Sequence, residues 1–328
     1  MLRKKLSRES AADLIPAGGA GMFVLCKPDS GKSAMLTADQ VEAYRQNGYV
    51  TIPGMFDGET IAELRRVTDE FVQKSAQVSE NDEVFDLEPG HTSSDPRLRR
   101  LKRPEQQHPA YDRVFRDNRI LDMVEQLVGP NVQEFGGKLN MKCAAYGSPV
   151  EWHQDFAFGP QRSNDDILAV GVAIDPMTPE NGCLLVVPGS HRGKIYDHFT
   201  EDDVFAGAVT EPDFDPGDVA PVQLDAGDIS IHHGRLLHAS APNTTPDRSR
   251  RFYLLQYSAA DCWAEGIDAE QIEVYRTQMI RGELPPEPRY ADIPPVPRPA
   301  VVRQGREGSI YEQQTHLGRS SSRLSEHH

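Results

Sequence analysis

Apolar residues at Ile61, Leu64, Val67 and Phe71 recur every three or four positions, so they share one helical face. That pattern predicts a helix from about Gly58 to Ser75. Similar spacing at Val114, Leu121, Val124 and Leu127 predicts another over 111–128, stopped by Gly129-Pro130. Upstream, Thr37-Ala38-Asp39-Gln40 has the form of a capping box and opens a helix through about Gln46. Tyr49–Ile52 reads as a short strand ended by Pro53-Gly54. Residues 1–36 are broken by Gly18-Gly19-Ala20-Gly21 and Pro28-Asp29-Ser30-Gly31 and predict an irregular segment.

Beyond residue 130 the pattern changes to short apolar runs divided by Gly, Pro and Asn. Strands are predicted near 138–145, 167–175, 183–187, 222–225, 228–232 and 251–258. Many short strands after a block of helices predict a mainly β fold, a sandwich or barrel with flanking helices. Segment 197–220 is acidic and poor in strand formers, as expected of a long loop that could cover a site. Residues 283–328 are rich in Pro and Arg and read as an extended tail, which leaves 37–282 as the folded domain.

Charge narrows the function. The 328 residues hold 35 Lys plus Arg against 50 Asp plus Glu, a net charge of −15. Nucleic acids and anionic membranes demand a basic face, so neither is an expected partner. The expected partner is a small molecule, with the chain a monomer or homodimer. Cys26, Cys143, Cys183 and Cys262 are scattered and form no C-x-x-C pair, which fits a reducing cytoplasm. Neither a signal peptide after Met1-Leu2-Arg3-Lys4-Lys5-Leu6 nor an apolar membrane run is read.

Candidate chemistry centres on His153-Gln154-Asp155. Two imidazoles and one carboxylate form the facial triad that binds non-haem Fe(II). On a strand, residues i and i+2 point to one side, so His153 and Asp155 can reach one metal while Gln154 faces away. A bare His-x-Asp is cheap, expected about once by chance in a chain with 11 His. The context adds more. Tyr146-Gly147-Ser148-Pro149 precedes the triplet. Asn181-Gly182-Cys183 leads to Pro188-Gly189-Ser190-His191. Ala226-Gly227-Asp228 then opens a segment through His232, His233 and His238-Ala239-Ser240, with Asn243 and Arg248-Ser249-Arg250-Arg251-Phe252 beyond.

These blocks, spread over roughly 37–260, resemble the phytanoyl-CoA dioxygenase family, which includes ectoine hydroxylase. The resemblance implies a double-stranded β-helix (jelly-roll) core, Fe(II), and 2-oxoglutarate with O2 as co-substrates. It selects His238 over His232 and His233 as the third ligand. His233 is then a supporting residue and His191 a structural turn residue. His91, His108 and His198 read as surface histidines. Three protein ligands leave three positions, two for 2-oxoglutarate and one for O2.

The far carboxylate of 2-oxoglutarate calls for an arginine fork. Aligning the strand Phe252–Tyr257 with the family's last core strand selects Arg250, with Arg251 and Arg248 as competitors. Ser240 and Asn140 match family residues that touch 2-oxoglutarate. Many relatives carry Trp where this chain has Gly171, a change expected to widen the pocket or alter the co-substrate wall. Phe156, Phe158, Gln161 and Arg162, with Trp152 and Phe135, are the candidates for substrate contact. The presence of Asp155 disfavours halogenation, for which relatives carry a small residue there.

The implied reaction is hydroxylation of an aliphatic carbon of a small metabolite, with succinate and CO2 released. Oxidative demethylation, desaturation or C–P oxidation at the same site is the alternative, as is a metal-retaining binding protein without turnover. Because ligand imidazoles must be neutral, iron affinity is expected to fall below about pH 6.

Overall fold

Thr37 caps the first helix: its hydroxyl accepts from Gln40 N–H, and the Gln40 side chain accepts from Thr37 N–H. The computed structural model describes residues 35–297 and 309–317. Most of the 1–36 segment, and residues 298–308 and 318–328 of the expected tail, lie outside the described residues.

In chain order the elements are α1 (Ala38–Asn47), β1 (Tyr49–Ile52), α2 (Gly58–Ser75), β2 (Phe85–Leu87) and β3 (Leu98–Lys102). Then come α3 (Pro104–Gln107), α4 (Pro109–Phe115), α5 (Asn118–Val128), β4 (Val132–Lys142), β5 (Val150–His153) and β6 (Ile167–Ala173). β7 (Leu184–Val186), β8 (Ala220–Val222), β9 (Ile229–His233), β10 (His238–Ser240) and β11 (Arg250–Ala259) follow. The last are α6 (Ala269–Thr277), β12 (Met279–Arg281) and α7 (Ile310–Gln313).

Two antiparallel sheets face each other in a jelly-roll core. The larger runs β1-β9-β6-β11-β4-β3-β2, with β12 also on β4; the smaller runs β5-β10-β7-β8. Period-two alternation along β11 divides the molecule. Phe252 and Leu254 point between the sheets, where they meet Leu184, Val186, Leu237 and Trp152. Tyr253, Leu255 and Tyr257 point outward and pack with Leu64, Val67 and Phe71 of α2 and with Leu121 and Val124 of α5. Each such buried side chain contributes roughly 1.5–3 kcal/mol, so the inward and outward sets fix the register of β11.

The fold corrects three readings. The helix expected over 111–128 is two helices. Asp117 leaves the helical conformation and its carboxylate accepts from Arg119 N–H, starting α5 afresh after α4 has ended at Phe115. Strands β2, β3, β10 and β12 were not among those expected; Leu98-Arg99-Arg100-Leu101-Lys102 of β3 is dominated by charge, and the other three span only three residues each. The tail is not wholly extended. Ser309 caps α7 with a capping box, and Ile310 and Tyr311 are buried against Val150 and Phe158. Residues 283–297 do lack helix and strand, yet Arg289 pairs with Asp166 and Asp261. Among the described residues, no helix is long and apolar enough to cross a membrane.

Candidate metal centre

β10 joins the two parts of the site. His238 opens this strand and stands directly opposite His153, the last residue of β5, with ring centroids 4.0 Å apart. Asp155 is not on the strand, as its i, i+2 spacing suggested. It opens a single 3-10 turn, Asp155–Phe158, and the turn swings its carboxylate back toward the histidines. Gln154 directs that turn. Its amide is fully buried, donates to Arg235 O at 2.8 Å and Lys194 O at 3.2 Å, and accepts from Tyr196 N–H at 2.8 Å. Gln154 N–H donates to His198 Nε2. His198 is therefore a buried support, not a surface histidine. His91 and His108 are half-buried and structural too: His91 accepts from Arg97 N–H, and His108 caps α4.

One nitrogen or oxygen from each of His153, Asp155 and His238 lies within 4.8 Å of the others, the geometry a single metal ion requires. The donor set suits Fe(II). His153 Nδ1 lies 2.7 Å from Glu151 O, and His238 Nδ1 lies 2.9 Å from Leu236 O. A carbonyl only accepts, so each Nδ1 carries the proton. Each Nε2 then presents a lone pair. Burial, with repulsion from His238, holds His153 well below the ordinary imidazole range. Burial likewise lowers His238 to about 4. Proton competition at His238 is thus displaced below the pH 6 expected of an ordinary imidazole.

Asp155 is the opposite case. Burial works against its charge, but Lys138, His232 and the two site histidines outweigh burial and hold the carboxyl well below its usual range. Lys138 Nζ is 3.5 Å from Asp155 Oδ1, and His232 Nε2 is 3.7 Å from Oδ2. His232 therefore backs the carboxylate and is not part of the convergent trio. His233 points to Asp165 at 3.9 Å and accepts from Arg235 N–H, a supporting position. His191 is a buried turn residue beside Arg45 O.

Beside the trio is a small cavity of about 40 Å³, walled in part by Arg100, Lys138, Asn140, Ser240, Arg250 and Ile310. Of the three candidate arginines only Arg250 lines this cavity. Its Nε and Nη2 donate to Gly182 O at 3.1 and 2.8 Å, which fixes the guanidinium plane. Gly182 adopts φ 77°, and a Cβ there would lie 2.4 Å from Ala241 O, so only glycine presents this carbonyl. Asn243 sets the approach to β11: its amide donates to Lys142 O and Arg248 O. Arg251, of opposite parity, turns outward to Asp175 and Asp69, and Arg248 is exposed. Asn140 Oδ1 accepts from Arg100 Nε at 3.0 Å.

Substrate-contact expectations fare less well. Phe156 is core, packed with Ala157, Ile195 and Val296. Arg162 donates to Cys262 O and covers the Phe135 ring. Gln161 accepts from Val296 N–H, and Trp152 is buried between the sheets. Phe158 does approach, edge-on to His153 at 5.7 Å. Gly171 has not widened the pocket, because the ring of Phe252 lies over it. The sequence reading missed Lys138, Arg100 and Ile310 as wall residues. Strand parity with Asn140 was the available signal for Lys138. Arg100 lies on an unread strand, and Ile310 lies in the tail.

Comparison with known proteins agrees with this geometry. Residues 44–252 match the phytanoyl-CoA dioxygenase (PhyH) family. The chain is 32% identical over 286 residues to a probable alpha-ketoglutarate-dependent hypophosphite dioxygenase of Stutzerimonas stutzeri, covering 85% of this chain and 98% of that one. It is 26% identical to ectoine dioxygenase of Bordetella parapertussis, over 64% of this chain and 72% of that one. Among solved structures, EctD from S. alaskensis with bound Fe superposes with a TM-score of 0.60 at 22% identity, over 83% of this chain and 92% of that one. The carbocyclase SnoK from nogalamycin biosynthesis gives 0.57 at 21%, over 80% and 98%. At those identities the structural likeness concerns the fold. The sequence match, however, spans His153, Asp155, His238 and Arg250 together, and by it the chain belongs to the phytanoyl-CoA dioxygenase family.

Proposed function

We propose that this chain is an Fe(II)- and 2-oxoglutarate-dependent dioxygenase that hydroxylates an aliphatic carbon of a small metabolite. His153, Asp155 and His238 would hold the metal. Arg250, with Ser240 and Asn140, would hold 2-oxoglutarate. The observation that carries this reading is the meeting of two neutral imidazoles and one ionised carboxylate beside a cavity walled by a buried arginine.

Bound iron supplies the activation of O2; one oxygen atom goes to the substrate and the other to succinate, with CO2 released. The chain's own residues do the rest. Glu151 O and Leu236 O keep both Nε2 atoms unprotonated. Lys138 keeps Asp155 ionised. Gly182 O orients the Arg250 fork, whose parallel N–H groups suit a carboxylate. A cavity confined to about 40 Å³ favours a small substrate over a CoA thioester, and two relatives carry hypophosphite and ectoine in their names. A cytoplasmic location fits the unpaired Cys143, Cys183 and Cys262.

Anaerobic addition of Fe(II) and 2-oxoglutarate is the direct test. The visible charge-transfer band of their chelate is expected, and its absence overturns the reading. Given O2 and a candidate metabolite, His153→Ala and Asp155→Ala are each expected to abolish succinate formation, while His108→Ala leaves it. A band without turnover on any substrate would point instead to a binding protein. Product analysis separates hydroxylation from demethylation, desaturation or C–P oxidation.

A further inference from the structure

Among the described residues, every side chain that walls the cavity beside the trio stands on a strand of the two sheets, except Ile310. Strands β3, β4, β5, β7, β9, β10 and β11 supply the others, and ladder hydrogen bonds lock these strands together. Ile310 belongs to α7, a single helical turn that pairs with no strand among the described residues. One turn is too short to hold itself together in water, so its order comes from what it rests on.

Those supports are side-chain contacts. Ile310 and Tyr311 are buried against Val150 and Phe158. The Tyr311 ring lies 4.1 Å from the Arg99 guanidinium. Gln314 accepts from Glu151 N–H on β5 and donates to Gly207 O, each at 3.0 Å. Glu312 accepts from the Asn81 amide at 2.7 Å, and Asn81 in turn accepts from Leu87 N–H. Gly207 gives the segment room: a Cβ there would lie 3.0 Å from Gln313 Oε1. One feature opposes closure. The Tyr311 hydroxyl is buried without a hydrogen-bond partner, and water would supply one if the ring came out.

The cavity measures about 40 Å³, whereas sites for small organic ligands are on the order of 300–1,000 Å³. Part of the wall has to give way before 2-oxoglutarate and a substrate can enter. Displacing β5 or β10 would break a ladder and carry off His153 or His238. Displacing α7 breaks only the contacts above, and locally weak segments are the ones that open.

We infer that residues 309–317 are a lid over the metal cavity, latched by Gln314 and Glu312, and that the lid lifts whenever 2-oxoglutarate binds or leaves. The inference rests on the dioxygenase reading and deepens it. The rival is a fixed plug. Loosening a plug lowers stability without changing how fast a ligand exchanges.

A gate has a kinetic signature. Neither Gln314 nor Asn81 lines the cavity, so weakening the latch favours the open form equally with and without co-substrate. Association and dissociation then quicken by one common factor, and affinity stays the same. The full-length protein, loaded anaerobically with Fe(II), is mixed with 2-oxoglutarate in a stopped-flow instrument. The rate at which the chelate band appears is followed against concentration; the slope gives association and the intercept dissociation. Gln314→Ala is expected to raise both by about 5-fold to 30-fold, the effect of losing one or two hydrogen bonds, with Kd unchanged. Asn81→Asp keeps an acceptor for Leu87 N–H but sets a carboxylate against Glu312. It should also raise both rates, and it carries the test if Gln314→Ala does not fold.

Wild-type rates in the folded variants overturn the inference. So does faster dissociation alone with a weaker Kd, which makes the segment a ligand contact and not a gate. Either result leaves the dioxygenase reading standing. If no band forms in the wild type, the dioxygenase reading fails and takes this inference with it.

Discussion

Gly171 offers a direct test of how the cavity wall is built. A Cβ at this position would lie 2.0 Å from Cζ of Phe252 and 2.5 Å from its Cε2. Carbon atoms rest at about 3.5 Å, so in Gly171→Ala the ring tip must retreat by roughly 1.5 Å. Phe252 is 2% exposed and lines the cavity, so the ring moves either into packed neighbours or into the co-substrate space. Overpacking of this kind costs about 1–3 kcal/mol. Urea denaturation of the iron-free protein measures that loss, and anaerobic chelate titration measures the accompanying rise in the 2-oxoglutarate Kd. The pair Gly171→Ala and Phe252→Leu completes a double-mutant cycle. Trimming the ring should relieve the clash, giving a coupling of about 0.5–3 kcal/mol in favour of the double variant. Additive effects, or a Gly171→Ala protein with wild-type stability and co-substrate affinity, would refute the argument.

Arg250→Leu should weaken 2-oxoglutarate binding about 10-fold to 100-fold by chelate titration. Arg251→Leu breaks the pair with Asp175 and should lower stability alone; equal effects on binding would reject the assignment of Arg250. Burial lowers His238 to about 4, whereas an unfolded histidine titrates near 6.5. Between these values the unfolded chain binds the extra proton, so stability is full above pH 6.5 and is lost as pH falls toward 4. The full shift is worth about 3 kcal/mol, of which about 2 kcal/mol is gone by pH 5. Urea midpoints of iron-free protein at pH 7.5 and 5 check this, and equal stability there would count against a buried neutral His238. Gln314 clamps α7 by accepting from Glu151 N–H and donating to Gly207 O, each at 3.0 Å. Gln314→Ala should cost about 1–2 kcal/mol locally and speed hydrogen exchange at Glu151 and across α7; unchanged exchange at Glu151 would remove the clamp.

The site was legible where chemistry and spacing coincide. Donor atoms of His153, Asp155 and His238 converge, and Arg250 lines the adjacent cavity while Arg251, of opposite parity on β11, turns outward. The route to that geometry was less legible. The i, i+2 rule assumes a continuing strand, whereas Gln154 ends β5 through contacts from Lys194, Tyr196, His198 and Arg235, all remote in sequence. Gly171 suggested open space because a missing side chain says nothing of which neighbour fills it. The helix expected over 111–128 kept its apolar face but not its continuity, since Asp117 caps α5 more effectively than it would sit inside a helix. Composition could not show that Ile310 and Tyr311 return to the cavity, because the contacts that order them come from Val150, Phe158 and Arg99.

His153 and His238 are neighbours across one strand pair, although 85 positions separate them along the chain. Part of the intervening chain, 199–219, contributes no strand to that pairing and, unlike Lys194, Tyr196 and His198 before it, no hydrogen bond to Gln154. Such an excursion can lengthen, shorten or change composition while the strand register, and with it the spacing of the two imidazoles, stays put. The scaffold therefore separates two evolutionary problems, retuning what enters the cavity and preserving the chemistry at its floor, and lets the first drift without endangering the second.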